Sequence, residues 1–530
     1  MTAAGFRRER LGALQGGVDA ALADLADRDA VNRLWARDHT LWADDPTEIS
    51  DRMGWLEVTE DMSAAGERLD AVAAGVVAEG LTHVVVMGMG GSSLFPEVLA
   101  RTFGATSSGP ELTVLDSTDP AAVARVAAQA PPEHTLFVAS SKSGGTVETR
   151  SHLEFFWERI GRPEQFAVVT DPGSALGDLA RERGYREVFE NRTDIGGRYS
   201  ALSFFGIVPA ALAGIDWRAL VASAEAVAPS LRDPDATVNA GLRLGAVLGA
   251  AVKAGRDKVT LLIDTRIESF GLWLEQLLAE STGKQGTGTI PVVDEPLGPS
   301  DLYGDDRLFV AIGAVEQEVG LDVLADEGHP VVELSFGDPT DLGAQVLLWE
   351  VATAVCGAVL GINPYDQPNV AEAKEATREV LASGPPDLPA ASLAEVLARV
   401  EPGDYIAVQA YMEPFDPAVD QLGEIRLALR DEFEVATTFG IGPRFLHSTG
   451  QLHKGGPRTG AFLQLTGAVS RDLEIPGRPF TFGRLQAAQA AGDRRALTER
   501  HRPVLHLHLT DRAEGLASLL SAAAEATGRR

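Results

Sequence analysis

The sequence predicts an α/β protein: two three-layer domains with parallel sheets, preceded by N-terminal helices and followed by a C-terminal α/β extension. Three observations lead there. From Thr82 onward, short β-branched runs alternate with amphipathic helical stretches, the pattern of strands joined by crossover helices. A second series of the same character begins after an apolar helical segment at Val238 to Ala254. Two Gly-rich turns, at 88–93 and 140–146, fall where a strand run hands over to a helix.

Taken in order, residues 1–75 are rich in Ala, Leu and Arg at helical spacing and read as helices packed on a later core. Residues 76–235 are expected to form the first α/β domain, with strands at His83 to Met87, Leu112 to Asp116, Thr135 to Ser140, Phe166 to Thr170 and Arg186 to Glu190. Residues 236–385 form the second, with strands at Val259 to Asp264, Arg307 to Gly313 and Val331 to Phe336, then helices at Leu342 to Leu360 and Val370 to Leu381. The chain then meets Ser383-Gly384-Pro385-Pro386, a linker by composition. Residues 386–530 read as a third α/β module or an elaboration of the second, with strands at Tyr405 to Met412, Ala461 to Leu465 and Val504 to Leu509.

Composition narrows the partners. The 46 basic against 76 acidic side chains leave a net charge of −30, so nucleic acid is not expected to bind, because each phosphate contact needs a local cation. A small anion stays compatible if its site concentrates positive charge. Only Lys142, Lys253, Lys258, Lys284, Lys374 and Lys454 are lysines; in a chain that defaults to arginine, a lysine marks either drift or a place needing a compact, titratable ammonium. The single cysteine, Cys356, lies in an apolar run and excludes a Cys-based metal cluster. With no secretory leader pattern and no uncharged stretch long enough for a bilayer, the expectation is a cytoplasmic location and no membrane partner.

Four motifs carry chemistry. Gly88-Met89-Gly90-Gly91-Ser92-Ser93 opens the backbone to an anion at a helix start, but lacks the complete spacing of a dinucleotide fingerprint. Ser140-Ser141-Lys142-Ser143-Gly144-Gly145-Thr146 offers hydroxyls and successive N–H groups ahead of the helix Val147 to Ile160, a cradle for one phosphate in an order unlike a Walker loop. Gly196-Gly197-Arg198-Tyr199-Ser200 fixes a guanidinium beside close backbone, suited to developing negative charge. Gln276 and Glu280 lie one turn apart near the end of a helix from Phe270, where a partly desolvated carboxylate can act as a base; a solvated glutamate is the plainer alternative.

Together with Glu280-Ser281-x-Gly283-Lys284 and Tyr365-Asp366-Gln367-x-x-Val370-x-Glu372-x-Lys374, these motifs stand in the order found in glucose-6-phosphate isomerases, which the chain resembles over roughly residues 80 to 380. The resemblance implies two sugar-isomerase domains, an exchange of glucose 6-phosphate with fructose 6-phosphate through an enediolate, and neither metal nor organic cofactor. It also implies roles. Ser141, Ser143 and Thr146 would hold the phosphate with Lys142 nearby, and Gly91 and Ser92 would contact the sugar. Glu280 would move the proton between C1 and C2, Arg198 would stabilise the enediolate oxygen, Gln276 and Gln367 would bind substrate, and Lys374 would help open the pyranose ring. Gln367 and Lys374 are two helical turns apart and would share a pocket if Gln367 began the helix.

One stretch departs from the family. A histidine that works with the lysine in ring opening, and reaches the site across a subunit interface, is replaced here by Glu295-Pro296-Leu297-Gly298-Pro299-Ser300-Asp301-Leu302-Tyr303-Gly304. The C-terminal stretch Gly442-Pro443-Arg444-Phe445-Leu446-His447-Ser448-Thr449-Gly450-Gln451-Leu452-His453-Lys454 resembles the isomerase half of bacterial transaldolase–isomerase fusions and carries two histidines. His447 is the first choice as the replacement, His453 the second and Asp301 a third. The family's homodimer carries over with less reason if the histidine comes from the same chain. No transaldolase activity is expected at this length. A metal at His506 and His508, which share a strand face, is disfavoured for want of a third ligand. A sugar-phosphate-binding regulator, or an isomerase that also accepts mannose 6-phosphate, are the alternatives; a regulator has no use for both Glu280 and Arg198.

Overall fold

The computed structural model describes residues 4–385, 393–511, 514–519 and 521; Pro386 of the linker and the residues up to 392 lie outside the described residues. The first described element is a strand, β1 (Phe6–Arg10), where the composition suggests helix. Its charged side chains are used across the molecule: β1 pairs antiparallel with the edge of a later sheet, Arg8 meets Glu333, and Arg10 reaches Asp322 and Asp326. Covering an edge whose N–H and C=O groups would otherwise be unpaired outweighs local helix propensity. Helices follow, including Gln15–Asp27 and Gly66–Ala78.

The first sheet contains β2 (His83–Met87), β3 (Glu111–Leu115), β4 (Thr135–Ser140), β5 (Phe166–Thr170) and β6 (Glu187–Glu190), all parallel and in the order β3-β2-β4-β5-β6. Central strands covered on both faces read as apolar runs, as His83-Val-Val-Val-Met87 and Phe166-Ala-Val-Val-Thr170 do. β3 and β4 flank β2, so the winding direction reverses there and the carboxyl ends of β2 and β4 open a crevice, where sheets of this type take ligands. Both Gly-rich loops leave from those two ends.

The second sheet adds β7 (Lys258–Ile263), β8 (Ile290–Val292), β9 (Arg307–Ile312) and β10 (Val331–Leu334), in the order β1-β10-β9-β7-β8, parallel apart from β1. β8 escapes the sequence because it is three residues long and contains Pro291, tolerated on an edge strand. The third sheet has β11 (Tyr405–Tyr411), β12 (Ala436–Ile441), β13 (Gly460–Gly467) and β14 (Val504–Leu509), parallel in the order β12-β11-β13-β14, over its own apolar core. β12, Ala-Thr-Thr-Phe-Gly-Ile, carries too little apolar alternation to be read as a strand. The α/β class and the parallel sheets agree with the sequence.

Helix Leu342–Leu360 runs through the main core against Trp217–Leu231 and Ala240–Lys253. Among the described residues it is the one helix long and apolar enough to cross a membrane, and its apolar length is buried inside the fold. At its middle sits Glu350, 0% exposed, with no hydrogen-bond partner among the described residues for either carboxyl oxygen. Burial pushes its pKa well above the usual 4.5, so the folded chain keeps it protonated while the unfolded chain ionises it above that pH. The unfolded state then binds fewer protons, and stability falls as pH rises from about 4.5 toward the folded pKa. Glu350→Met should therefore stabilise the protein by about 1–3 kcal/mol, with a larger gain in the urea midpoint at pH 8 than at pH 5.

Candidate active site

Helix Phe270–Thr282 supplies the carboxylate. Glu280, 5% exposed, accepts a hydrogen bond from Gln276 Nε2 (3.0 Å) one turn back, and its other oxygen lies 3.6 Å from Arg198 Nη1. Arg198, 3% exposed, is held on the short 3-10 turn Gly197–Tyr199. It donates from Nε to Ser281 Oγ (2.8 Å) and from Nη2 to the carbonyls of Pro364 (2.7 Å) and Asp366 (2.9 Å). Three fixed acceptors leave Nη1 aimed at Glu280. Lys284 donates to Asp366 Oδ1 (2.6 Å) and its carbonyl (2.7 Å); burial, together with the Arg198 charge, brings its ammonium down to about 8. Arg198 and Lys284 thus pin the turn that carries Gln367.

That turn precedes helix Val370–Ser383, so Gln367 is not in the helix and its spacing from Lys374 does not place both on one helical face. Gln367 and Lys374 are both exposed, and the Lys374 charge acts on Glu148.

The loop between β4 and helix Val147–Ile160 has Ser141 Oγ 2.9 Å from Thr146 Oγ1, while Ser143 Oγ accepts from the Gly145 N–H (3.3 Å). Ser143 and Gly145 are exposed, which leaves hydroxyls and amides facing outward. The Lys142 ammonium turns to Asp171 and to the Thr193 carbonyl (2.9 Å), bracing the loop from behind. The 3-10 turn Gly90–Ser92 packs on the Arg198 turn so closely that a Cβ on Gly91 would stand 1.9 Å from the Gly197 carbonyl oxygen. Gly91→Ala should lower the melting temperature and displace Arg198, with turnover falling by up to about 10²-fold in a steady-state assay.

The C-terminal stretch enters this site from the same chain. Arg444 forms a bidentate pair with Asp116 (2.7 and 2.8 Å) beyond the end of β3, and the His447 carbonyl accepts from Gln276 Nε2 (2.8 Å), the same nitrogen that serves Glu280. His447 Nε2 lies 3.1 Å from Glu148 Oε1 in the first turn after the hydroxyl loop. Gln489 Nε2 donates to that same oxygen (2.6 Å) and is itself held by Thr118. Burial pushes the Glu148 carboxyl up, but the adjacent His447, a backbone N–H and the Lys374 charge together bring the group below its usual value. Gln451 joins the Gly283 carbonyl (3.0 Å) to Asn369, and a Cβ on Gly283 would come within 2.5 Å of Leu452 Cα.

The other two histidine substitutes lie elsewhere. His453 is buried among Tyr405, Phe445 and Phe462 with Gln409 on Nδ1 (3.0 Å), and burial holds its pKa well below the ordinary value. Asp301 is exposed on the 3-10 turn Ser300–Leu302. Lys454 pairs with Asp493 (2.6 Å) inside the third unit, so its rarity marks a buried ion pair. The stretch lacking histidine has become a seam: Glu295 meets Arg307 (3.1 Å) and Arg426 (3.9 Å), and Arg430 donates to the Pro296 carbonyl (2.6 Å), seating helix Ala418–Phe433. Glu148, Gln489, Arg444 and Asp116 escape sequence reasoning because their partners are hundreds of residues away; the one local signal is a carboxylate two residues past Thr146.

A family model described as phosphoglucose isomerase matches residues 27–305, a range that holds the hydroxyl loop, Arg198 and Glu280 and stops short of Gln367, Lys374 and His447. The chain is 30% identical over 397 residues to a glucose-6-phosphate isomerase from Rubrobacter xylanophilus, covering 62% of this chain and 89% of the relative. It is 27% identical over 430 residues to one from Acaryochloris marina, covering 71% and 79%. Among solved structures, a hypothetical protein from Thermus thermophilus superposes with a TM-score of 0.60 at 25% identity, over 71% of this chain and 100% of its own. A glucose-6-phosphate isomerase from Chlamydia trachomatis superposes with 0.59 at 20% identity, over 69% and 86%, a likeness of fold. With its motifs in order, its sheets in this arrangement and more than half its length matched, the chain belongs to the phosphoglucose isomerase family.

Proposed function

We propose that the protein interconverts glucose 6-phosphate and fructose 6-phosphate, with Glu280 as the base that carries a proton between C2 and C1 through an enediolate. The observation that supports this best is the Glu280 carboxylate, nearly buried, with one oxygen on Gln276 and the other facing the Arg198 guanidinium. Removing a carbon-bound proton leaves negative charge on the sugar oxygens, and a cation fixed by three other bonds meets that charge without having to reorganise. A phosphate on Ser141, Ser143 and Thr146, at the N-terminus of helix Val147–Ile160, anchors the far end of the sugar. Lys142 keeps that loop in shape from behind, Gly91 and Ser92 border the sugar, and Gln276 and Gln367 flank it.

His447 takes the ring-opening role, with Glu148 as its positioning carboxylate and Lys374 close by in charge. An imidazole in hydrogen-bond reach of a carboxylate can pass a proton between the ring oxygen and the anomeric hydroxyl. The test is a coupled assay that converts fructose 6-phosphate to glucose 6-phosphate with purified full-length protein. Steady turnover without added metal is expected. Binding of fructose 6-phosphate with no turnover would overturn the reading and leave a sugar-phosphate-binding regulator.

A further inference from the structure

A second crevice opens at the carboxyl edge of the third sheet. β12 and β13 flank β11, so this sheet also reverses its winding direction, and the carboxyl ends of β11 and β13 mark the place where such sheets take ligands. A cavity of about 650 Å³ lies there, a size usual for small-molecule sites. Its floor includes Tyr411 at the end of β11, Gln464 on β13 and His506 on β14; its walls come from Leu381 and from one face of helix Phe482–Glu499.

The lining is built for a particular chemistry. Tyr411 is 1% exposed and Gln464 0%, yet among the described residues neither the Tyr411 hydroxyl nor Gln464 Oε1 has a hydrogen-bond partner. Buried polar groups nearly always find partners, so two unpaired ones on one cavity are groups held ready for what enters it. Arg494 also lines the cavity. Its Nε is buried and unpaired, and among the described residues no ion pair engages its guanidinium. Arg484 adds a second guanidinium, and among the described residues no Asp or Glu lines the cavity. The remaining surface is largely apolar, with Ala487 and Ala491 on the helix and Leu381 opposite.

We propose that this crevice is a second ligand site, separate from the substrate site, and that it takes a small organic anion whose charged end meets Arg494 and whose apolar body lies along Leu381 and the helix. The substrate site is on the other side of that helix, where Gln489 holds Glu148. Cation and apolar wall together select against both a bare inorganic ion and a neutral hydrocarbon.

Two dyes of nearly the same shape make the test: 8-anilinonaphthalene-1-sulfonate and its uncharged analogue N-phenyl-1-naphthylamine, titrated by fluorescence into the full-length chain with saturating fructose 6-phosphate. One equivalent of the sulfonate should bind at least about tenfold more tightly than the neutral dye, the effect of one charge-assisted contact. Arg494→Met should erase that preference. Ala487→Trp, at an exposed helix position that does not endanger folding, should fill the cavity and abolish binding of both dyes. Absence of sulfonate binding, equal binding of the two dyes, binding untouched by Ala487→Trp, or displacement by fructose 6-phosphate would each overturn the proposal.

Discussion

Glu280→Gln should leave fructose 6-phosphate bound with an affinity within a few-fold of the parent and reduce turnover by about 10³–10⁴-fold, the upper part of the range for general acid–base catalysis. The amide keeps the shape and its oxygen can still accept from one of the two donors, Gln276 Nε2 or Arg198 Nη1, so the pocket keeps its form, but it cannot take a proton from carbon. Loss of kcat without a matching rise in the dissociation constant is the signature of a group that acts in the transition state. Isotope exchange gives a second readout: the parent should wash solvent deuterium into C2 of glucose 6-phosphate, and the variant should not. Full retained turnover would remove Glu280 from the mechanism.

His447→Gln should cost about 10²–10³-fold with the cyclic hexose phosphates and close to nothing with a tetrose 4-phosphate, which has no free hydroxyl to close a ring. The split between the two substrates separates ring opening from a general loss of fold. Glu148→Gln should reproduce part of the effect, because the imidazole keeps a neighbour of the same shape but loses the carboxylate that orients it. Because the histidine reaches Glu148 within one chain, turnover per chain should stay constant on dilution, whereas a histidine borrowed across an interface would be lost as subunits part. Equal and small effects of His447→Gln on both substrates would sink the role.

The parts of the molecule legible in the sequence are those whose physics is local. The strands buried on both faces, such as Thr135–Ser140 and Phe166–Thr170, write themselves as apolar runs, and helix Leu342–Leu360 has no polar face to confuse its ends. The hydroxyl loop and the Gly196-Gly197-Arg198 turn are likewise contiguous motifs. What could not be read is what depends on distant partners. Lys142 belongs to the phosphate motif, yet its ammonium answers to Asp171, 29 residues on. His447 and His453 stand six residues apart in one Gly-rich stretch, and nothing local tells that one meets Glu148 while the other is sealed among three aromatic rings. The fate of Glu295 belongs with these, since a stretch that loses a histidine becomes a seam only when Arg307 and Arg426 close on it.

β1 has a consequence in time. Arg8 and Glu333, which meet when β1 seats on β10, are 325 residues apart, so β1 leaves the ribosome long before the edge it pairs with. At about 5–20 residues per second, synthesis alone imposes a wait of about 15–65 s. Throughout that interval the Phe6–Arg10 segment has no β10 to pair with, and its four charged residues in five keep it hydrated and unattractive to other strands until the proper edge arrives.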